Sequence, residues 1–142
     1  MMASEGNGFS VLETDLDGLP LIAVINVELR DHRHKSGTPW FISISTPYTA
    51  GSGGLPSSKD VSALDHWEQR IVTELAADAV FVGRVTWNGH RELLYYLTIP
   101  EPSVGRLEAL SASGTSRAFG FSCEYDELWL QVSAYWQHGG MS

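Results

Sequence analysis

Residues Phe81 to Leu97, FVGRVTWNGHRELLYYL, decide the fold. Two β-rich runs flank Asn88-Gly89, a dipeptide that favours a two-residue hairpin turn because both residues tolerate positive φ. The register set by that turn places Trp87 opposite His90, Val85 opposite Glu92, Gly83 opposite Leu94 and Phe81 opposite Tyr96. Those residues make one side of the hairpin. The other side carries Val82, Arg84, Thr86, Arg91, Leu93 and Tyr95. Strands that are apolar on both sides belong inside a sheet that is covered twice. Helices are expected on one side and another element on the other. Gly83 is expected to let a helix approach closely.

Outward from the hairpin, the flanking segments alternate between strand and helix signals. Phe9–Thr14, Leu21–Leu29, Trp40–Ser45 and Ala118–Tyr125 read as strands, and Asp17-Gly18 is a turn signal. Ser57 stands three residues before Asp60, an aspartate variant of the capping box. Val61, Leu64, Ile71, Val72 and Leu75 follow at helical spacing, and this helix is expected to end near Asp78. A shorter helix is expected over Ser103–Ser111, with Gly105 weakening it. Asp126-Glu127 favours a helix start over the final segment LWLQVSAYW, although its alternation also suits a strand. The order predicts an α+β fold: an antiparallel sheet with two helices on one face, its ferredoxin-like α-β-β-α-β core preceded by additional N-terminal strands. Residues 1–8 and 137–142 read as disordered ends, and residues 9–136 as a single domain.

Composition narrows the class. A chain of 142 residues buries roughly 68–70% of its unfolded surface, enough for a core without staples. One cysteine, Cys123, excludes an internal disulfide and fits a reducing compartment. Apolar runs are too short for a membrane span, and the N-terminus has no signal-peptide pattern, so a cytoplasmic location is expected. Seventeen acidic and nine basic residues leave a net charge of −8. That charge repels a phosphate backbone, so no direct nucleic-acid binding is expected, and it attracts a basic partner.

Chemistry-bearing residues are scattered. His32 and His34 form an H-x-H, but no further ligand stands at useful spacing, so no metal is expected. Cys123, between apolar residues of a strand, reads as a small core residue rather than a nucleophile. Gly51-Ser52-Gly53-Gly54 lacks the lysine and hydroxyl of a phosphate loop and reads as a linker. Glu124, Asp126 and Glu127 read as a solvated corner and a helix cap. Arg84, Glu92 and Tyr95 are the candidate half-buried polar groups of the hairpin, where an arginine is expected to find a carboxylate.

Three segments carry a family resemblance: PLIAVINVELRD (Pro20–Asp31), FVGRVTWNGHRELLYYL (Phe81–Leu97) and YDELWLQVSAYW (Tyr125–Trp136). Together they resemble the bacterial family called domain of unknown function 695. The matching positions are Val82, Gly83, Arg84, Thr86, Gly89, Arg91, Glu92, Tyr95 or Tyr96, Asp126 and Trp129. The family has no established activity. It is similar in pattern to regulator of ribonuclease activity B, an acidic ferredoxin-like protein that restrains an endoribonuclease, although Glu127-Leu128 here interrupts that protein's aspartate-glycine-tryptophan ending and its acidic N-terminal segment is absent.

The resulting expectation is a non-catalytic, acidic interaction or regulatory domain that meets a protein partner, or its own copy, through the sheet. The candidate polar cluster is Arg84, Glu92, Tyr95, Asp126 and Trp129, with no catalytic residue and no cofactor. The alternative is a small-ligand module whose pocket is lined by Trp40, Trp87, Tyr95 and Tyr96. Less favoured is an enzyme using Glu92 or Glu124.

Overall fold

A computed structural model describes residues 8–31, 37–49 and 54–138. The elements are β1 (Phe9–Leu16), β2 (Leu19–Asn26), a 3-10 turn (Val27–Asp31), β3 (Trp40–Pro47), α1 (Ser58–Glu74), β4 (Val80–Trp87), β5 (His90–Leu97), α2 (Ser103–Ser113), β6 (Gly120–Tyr125) and α3 (Leu130–His138). Residues Met1–Asn7, His32, His34 and Gly51–Gly53 lie outside the described residues, and with them the expectations for a disordered N-terminus, the H-x-H and most of the glycine linker. The same holds for 139–142 of the C-terminal end.

Local chemistry accounts for most element boundaries. Asn88 (φ 48°) and Gly89 (φ 83°) make the left-handed turn that joins β4 to β5. Ser57 caps α1 as expected, its Oγ accepting from the Asp60 amide at 3.2 Å. This helix stops at Glu74 rather than near Asp78, because Leu75 turns extended (φ −90°, ψ 154°) to enter the core. The Ala76 amide then donates to Ser103 Oγ at 2.9 Å, so α2 receives the chain leaving α1. Glu101 Oε1 accepts from the Gly105 amide at 2.9 Å, which supplies the cap that Pro102 lacks. Likewise β2 ends at Asn26, not Leu29, where Asn26 Oδ1 accepts from the Glu28 amide at 3.1 Å.

The six strands form one sheet in the order β1-β2-β4-β5-β3-β6, with every neighbouring pair antiparallel. The three N-terminal strands therefore separate. β1 and β2 extend the sheet beyond β4, whereas β3 lies between β5 and β6. Sequence explains the insertion afterwards: β3 buries Ile42 and Ile44 on one side and Phe41 on the other, as an interior strand must.

The hairpin register departs from expectation at one point. Trp87 pairs with His90, Val85 with Glu92 and Gly83 with Leu94, but Phe81 pairs with Tyr95, because the register shifts between Phe81 and Gly83. The bulge leaves Val82 unpaired and reverses the sides of Phe81 and Val82. Gly83 sits where the backbone of β2, not a helix, comes close. A Cβ there would collide with the Val24 carbonyl oxygen and lie 2.7 Å from Ile25 Cδ1.

Two apolar clusters result. Ala23, Ile25, Phe41, Val82, Val85, Leu94 and Tyr96 pack with Trp129 and with Val132 of α3. Ile42, Ile44, Leu93, Tyr95 and Leu97 pack with Trp67, Ile71 and Leu75 from α1 and its end, and with Leu107 and Leu110 of α2. Leu94 and Tyr96 thus look one way and Leu93, Tyr95 and Leu97 the other. The sheet is covered twice, and α3 is the element on the second side. The final segment is a helix, as preferred from its Asp126-Glu127 start.

Candidate functional site

Arg84, Thr86 and Arg91 share one side of the hairpin, where Thr86 lies opposite Arg91. α1 approaches them with Glu68. That glutamate stands four residues after Leu64 and three before Ile71, so helical geometry turns it inward with the apolar stripe. Arg84 Nε and Nη2 donate to its two carboxylate oxygens at 2.7 Å each. Arg91 Nη1 donates to Glu68 Oε1 at 3.2 Å and to Asp65 Oδ1 at 3.4 Å, and Arg91 Nε donates to Thr86 Oγ1 at 3.1 Å. The Arg91 and Glu68 side chains are only 9% and 12% exposed, against 31% for Arg84. Burial works against the Arg84 cation, but the hydrogen bonds and charge of Glu68 outweigh it and hold the group above its ordinary value. A cleft of about 350 Å³ opens onto this cluster, walled by Ile22 and Val24 of β2 and by Leu55, Pro56 and Val61. Tyr95 lies on the same side, with its ring centroid 5.1 Å from that of Phe81. The Arg84 guanidinium stands 5.7 Å from the Phe81 ring centroid, so arginine and tyrosine flank one aromatic ring.

Asp126 and Trp129 belong to a different construction. The Asp126 carboxylate accepts from the Leu130 and Gln131 amides at 2.9 Å each and so caps α3. The Tyr96 hydroxyl donates to the same carboxylate at 2.6 Å. Trp129, fully buried and at φ 58°, stacks on the Tyr96 ring with centroids 4.0 Å apart and planes 9° apart. Its indole Nε1 donates to the Thr38 carbonyl at 3.0 Å. A left-handed tryptophan is strained, and it persists only where neighbours over-determine it. Here the tyrosine, the aspartate and the β3 approach together fasten α3 to the sheet.

Glu92 stands apart from both groups. It faces the opposite side of β5 from Arg84 and accepts a hydrogen bond from the Ser43 hydroxyl. Ser43 and Ser122 pair across β3–β6, Ser45 pairs with Glu92, and Glu124 pairs with Phe41 on the same side. These residues form a polar strip at the margin of the apolar cluster under α3, where Gln131 Nε2 of α3 donates to Glu124 Oε2 at 3.4 Å. Tyr135 of α3 lies close enough to Glu92 that, after burial, that charge raises its phenol further. The structure therefore divides the five candidate residues into three places. Arg84 and Tyr95 sit under α1, Asp126 and Trp129 under α3, and Glu92 on the polar strip.

The aromatic residues expected to line one pocket do not meet. Trp40 packs edge-on against Tyr125, Tyr96 stacks on Trp129, Tyr95 meets Phe81, and Trp87 Nε1 donates to the Leu16 carbonyl at 3.1 Å. Cys123 is free, and burial followed by the charges of Glu101 and Glu124 raises its thiol, which disfavours the nucleophilic thiolate. Among the described residues no group of three His, Cys, Asp or Glu side chains is placed to hold a metal ion. Nor, among them, is any helix long and apolar enough to cross a membrane.

A family model described as a family of unknown function (DUF695) matches residues 7–135, nearly the whole chain. The chain belongs to this family. No curated protein and no solved structure matches it. The likeness to regulator of ribonuclease activity B is not shown by either comparison. In this DUF695 chain the residues that carry the resemblance sort by physical task. Arg84, Thr86 and Arg91 make the charge cluster, Gly83 and Gly89 serve close approach and turn, and Tyr96, Asp126 and Trp129 fasten α3. Asp65, Glu68 and Arg91 were not singled out from the sequence as site residues. The available signal is a glutamate on the apolar stripe of a helix, together with one arginine on each strand of the hairpin, on the same side.

The tyrosines give the DUF695 fold a pH signature. Burial raises Tyr95 to about 12, with Glu68 adding to the effect and Arg84 opposing it. Tyr96 is pushed well above the ordinary phenol range by burial, by its bond to Asp126 and by nearby Glu124. In both residues the folded chain favours the neutral phenol. Their contribution to stability is therefore complete below the ordinary phenol value of 10.0 and falls as the pH rises through about 12. Phenolate absorbance of the folded chain is expected to lag that of the denatured chain across this window, and Tyr95→Phe to remove part of the lag. Superimposed folded and denatured titrations would contradict this.

Proposed function

We propose that the chain is a non-catalytic, acidic recognition domain of the cytoplasm that binds a protein partner with a basic surface. The polar strip on β5, β3 and β6 carries this reading. Glu92, Glu124, Ser43, Ser45 and Ser122 share one side of the sheet, at the margin of the apolar cluster under α3, with Ser122 and Glu124 exposed. The chain's net charge of −8 attracts basic surfaces, and Glu92 and Glu124 put two carboxylates on the strip. The same charge disfavours a second copy of the chain at that face. The internal engagement of Arg84, Asp126 and Trp129 also supports recognition over reaction, since these side chains are committed to holding helices.

We read β3–α1–β4–β5–α2–β6 as a ferredoxin-like unit with α1 and α2 on one face, which leaves the other face for α3 and for a partner. The strand order β4-β5-β3-β6 and the cluster shared by α1 and α2 support it.

The test compares the parent chain with a Ser122→Lys, Glu124→Lys variant, both positions being exposed. Each is immobilised and exposed to nuclease-treated native lysate at low and high salt. The expected result is a partner retained by the parent at low salt, released at high salt, and recovered about tenfold less by the variant. Recovery of the chain alone, or of the same proteins on both surfaces, overturns the reading.

A further inference from the structure

We propose that a second cleft, between α1 and the segment that follows α2, binds the phosphate group of a small phosphorylated molecule. This cleft of about 360 Å³ is lined on α1 by His66, Trp67 and Arg70, and across from them by Thr115, Ser116 and Arg117. Its volume falls within the range of small-molecule sites. It belongs to no motif of the family resemblance and lies apart from the polar strip.

Two independent observations carry the assignment. The first is unneutralised positive charge in an acidic chain. Arg84 and Arg91 share Glu68, whereas Arg70 and Arg117 have no carboxylate partner among the described residues. Neutral acceptors hold them instead. Arg70 Nη2 donates to Thr115 Oγ1 at 3.2 Å, and Arg117 donates from Nε to Thr46 Oγ1 at 3.1 Å and from Nη2 to the Pro47 carbonyl at 2.8 Å. A guanidinium has five N–H donors, so each arginine is positioned but keeps unused donors. The second observation is Trp67. It is 4% exposed, forms part of the cleft wall, and has a buried indole N–H with no acceptor among the described residues. An orphaned buried donor is uncommon and calls for an explanation.

An oxyanion answers both. Two guanidiniums with unused N–H groups and an indole N–H suit the doubly charged, three-oxygen head of a phosphate monoester better than a singly charged carboxylate, the Thr115 and Ser116 hydroxyl protons being engaged by Ser113 and by the Arg117 carbonyl. The Trp67 ring and Ala63 leave an apolar wall for the remainder of a small molecule.

Calorimetric titration of the full chain with inorganic phosphate and with glycerol phosphate tests the proposal, with acetate as the carboxylate comparison. The expected result is saturable one-to-one binding of both phosphates, with acetate binding weaker. Arg70→Gln removes a charge from an exposed position, and Trp67→Phe keeps an aromatic ring while deleting the N–H. Each is expected to weaken phosphate binding by about tenfold or more, while Lys59→Gln, an exposed cation elsewhere on α1, leaves it unchanged. Absence of saturable phosphate binding overturns the proposal. So does acetate binding as tight as phosphate, or an equal loss in Lys59→Gln, which would mark diffuse attraction rather than a site. Retained binding in Arg70→Gln would do the same even if Trp67→Phe failed to fold.

Discussion

Trp129→Ala is expected to destabilise the chain by about 3–5 kcal/mol, the usual cost of truncating a buried aromatic residue. Three losses act together. The residue is fully buried between the sheet and α3, so a cavity opens beneath the helix. The ring that stacks on Tyr96 at 4.0 Å disappears. The Thr38 carbonyl loses the indole donor that held it at 3.0 Å. Alanine at φ 58° remains strained, so little is recovered from the backbone. Against a typical total of about 5–15 kcal/mol, this removes a large share of the stability. Urea unfolding should show the lower midpoint, and amide exchange should show α3 opening before the strands. An unfolding free energy within about 1 kcal/mol of the parent would mean that the Tyr96–Asp126 bond fastens α3 without the ring.

The second large effect is expected at Glu68. One carboxylate there serves two arginines, so Glu68→Ala strands Arg84 and leaves Arg91 only the exposed Asp65 carboxylate at 3.4 Å. Breaking a buried pair by removing one partner costs about 3–5 kcal/mol. The partial exposure of Arg84, at 31%, brings the expectation toward the lower end. Arg84→Met should cost less, because Glu68 keeps Arg91 at 3.2 Å and an apolar chain replaces the cation over Phe81. A double-mutant cycle on Glu68 and Arg84, read by urea unfolding, separates the pair from the packing. Equal costs for the two single substitutions would refute the sharing of Glu68.

These two sites differ in how far the sequence announces them. Asp126 reads as a helix cap from its own segment, because capping is settled within a few residues. That Tyr96 rather than Tyr95 reaches it is a matter of strand alternation, which the sequence leaves open and the sheet decides. Arg84 is legible as an arginine in need of a carboxylate. Glu68, which answers that need, lies sixteen residues away on a helix, and only packing of α1 against β4 and β5 joins them.

From residues alone came the Asn88-Gly89 hairpin, the Ser57 cap, the doubly apolar β5, the family and a preference for a helical final segment that left the strand open. Each rests on turn chemistry, capping or periodicity, forces that act between near neighbours along the chain. Tertiary structure alone placed β3 between β5 and β6, reversed Phe81 and Val82 with one unpaired residue, and turned a glycine expected to face a helix against the backbone of β2. Those outcomes depend on which distant strand competes best for a partner's hydrogen bonds and buried surface. A register shift of a single residue exchanges the two sides of a strand, and no local signal reports it.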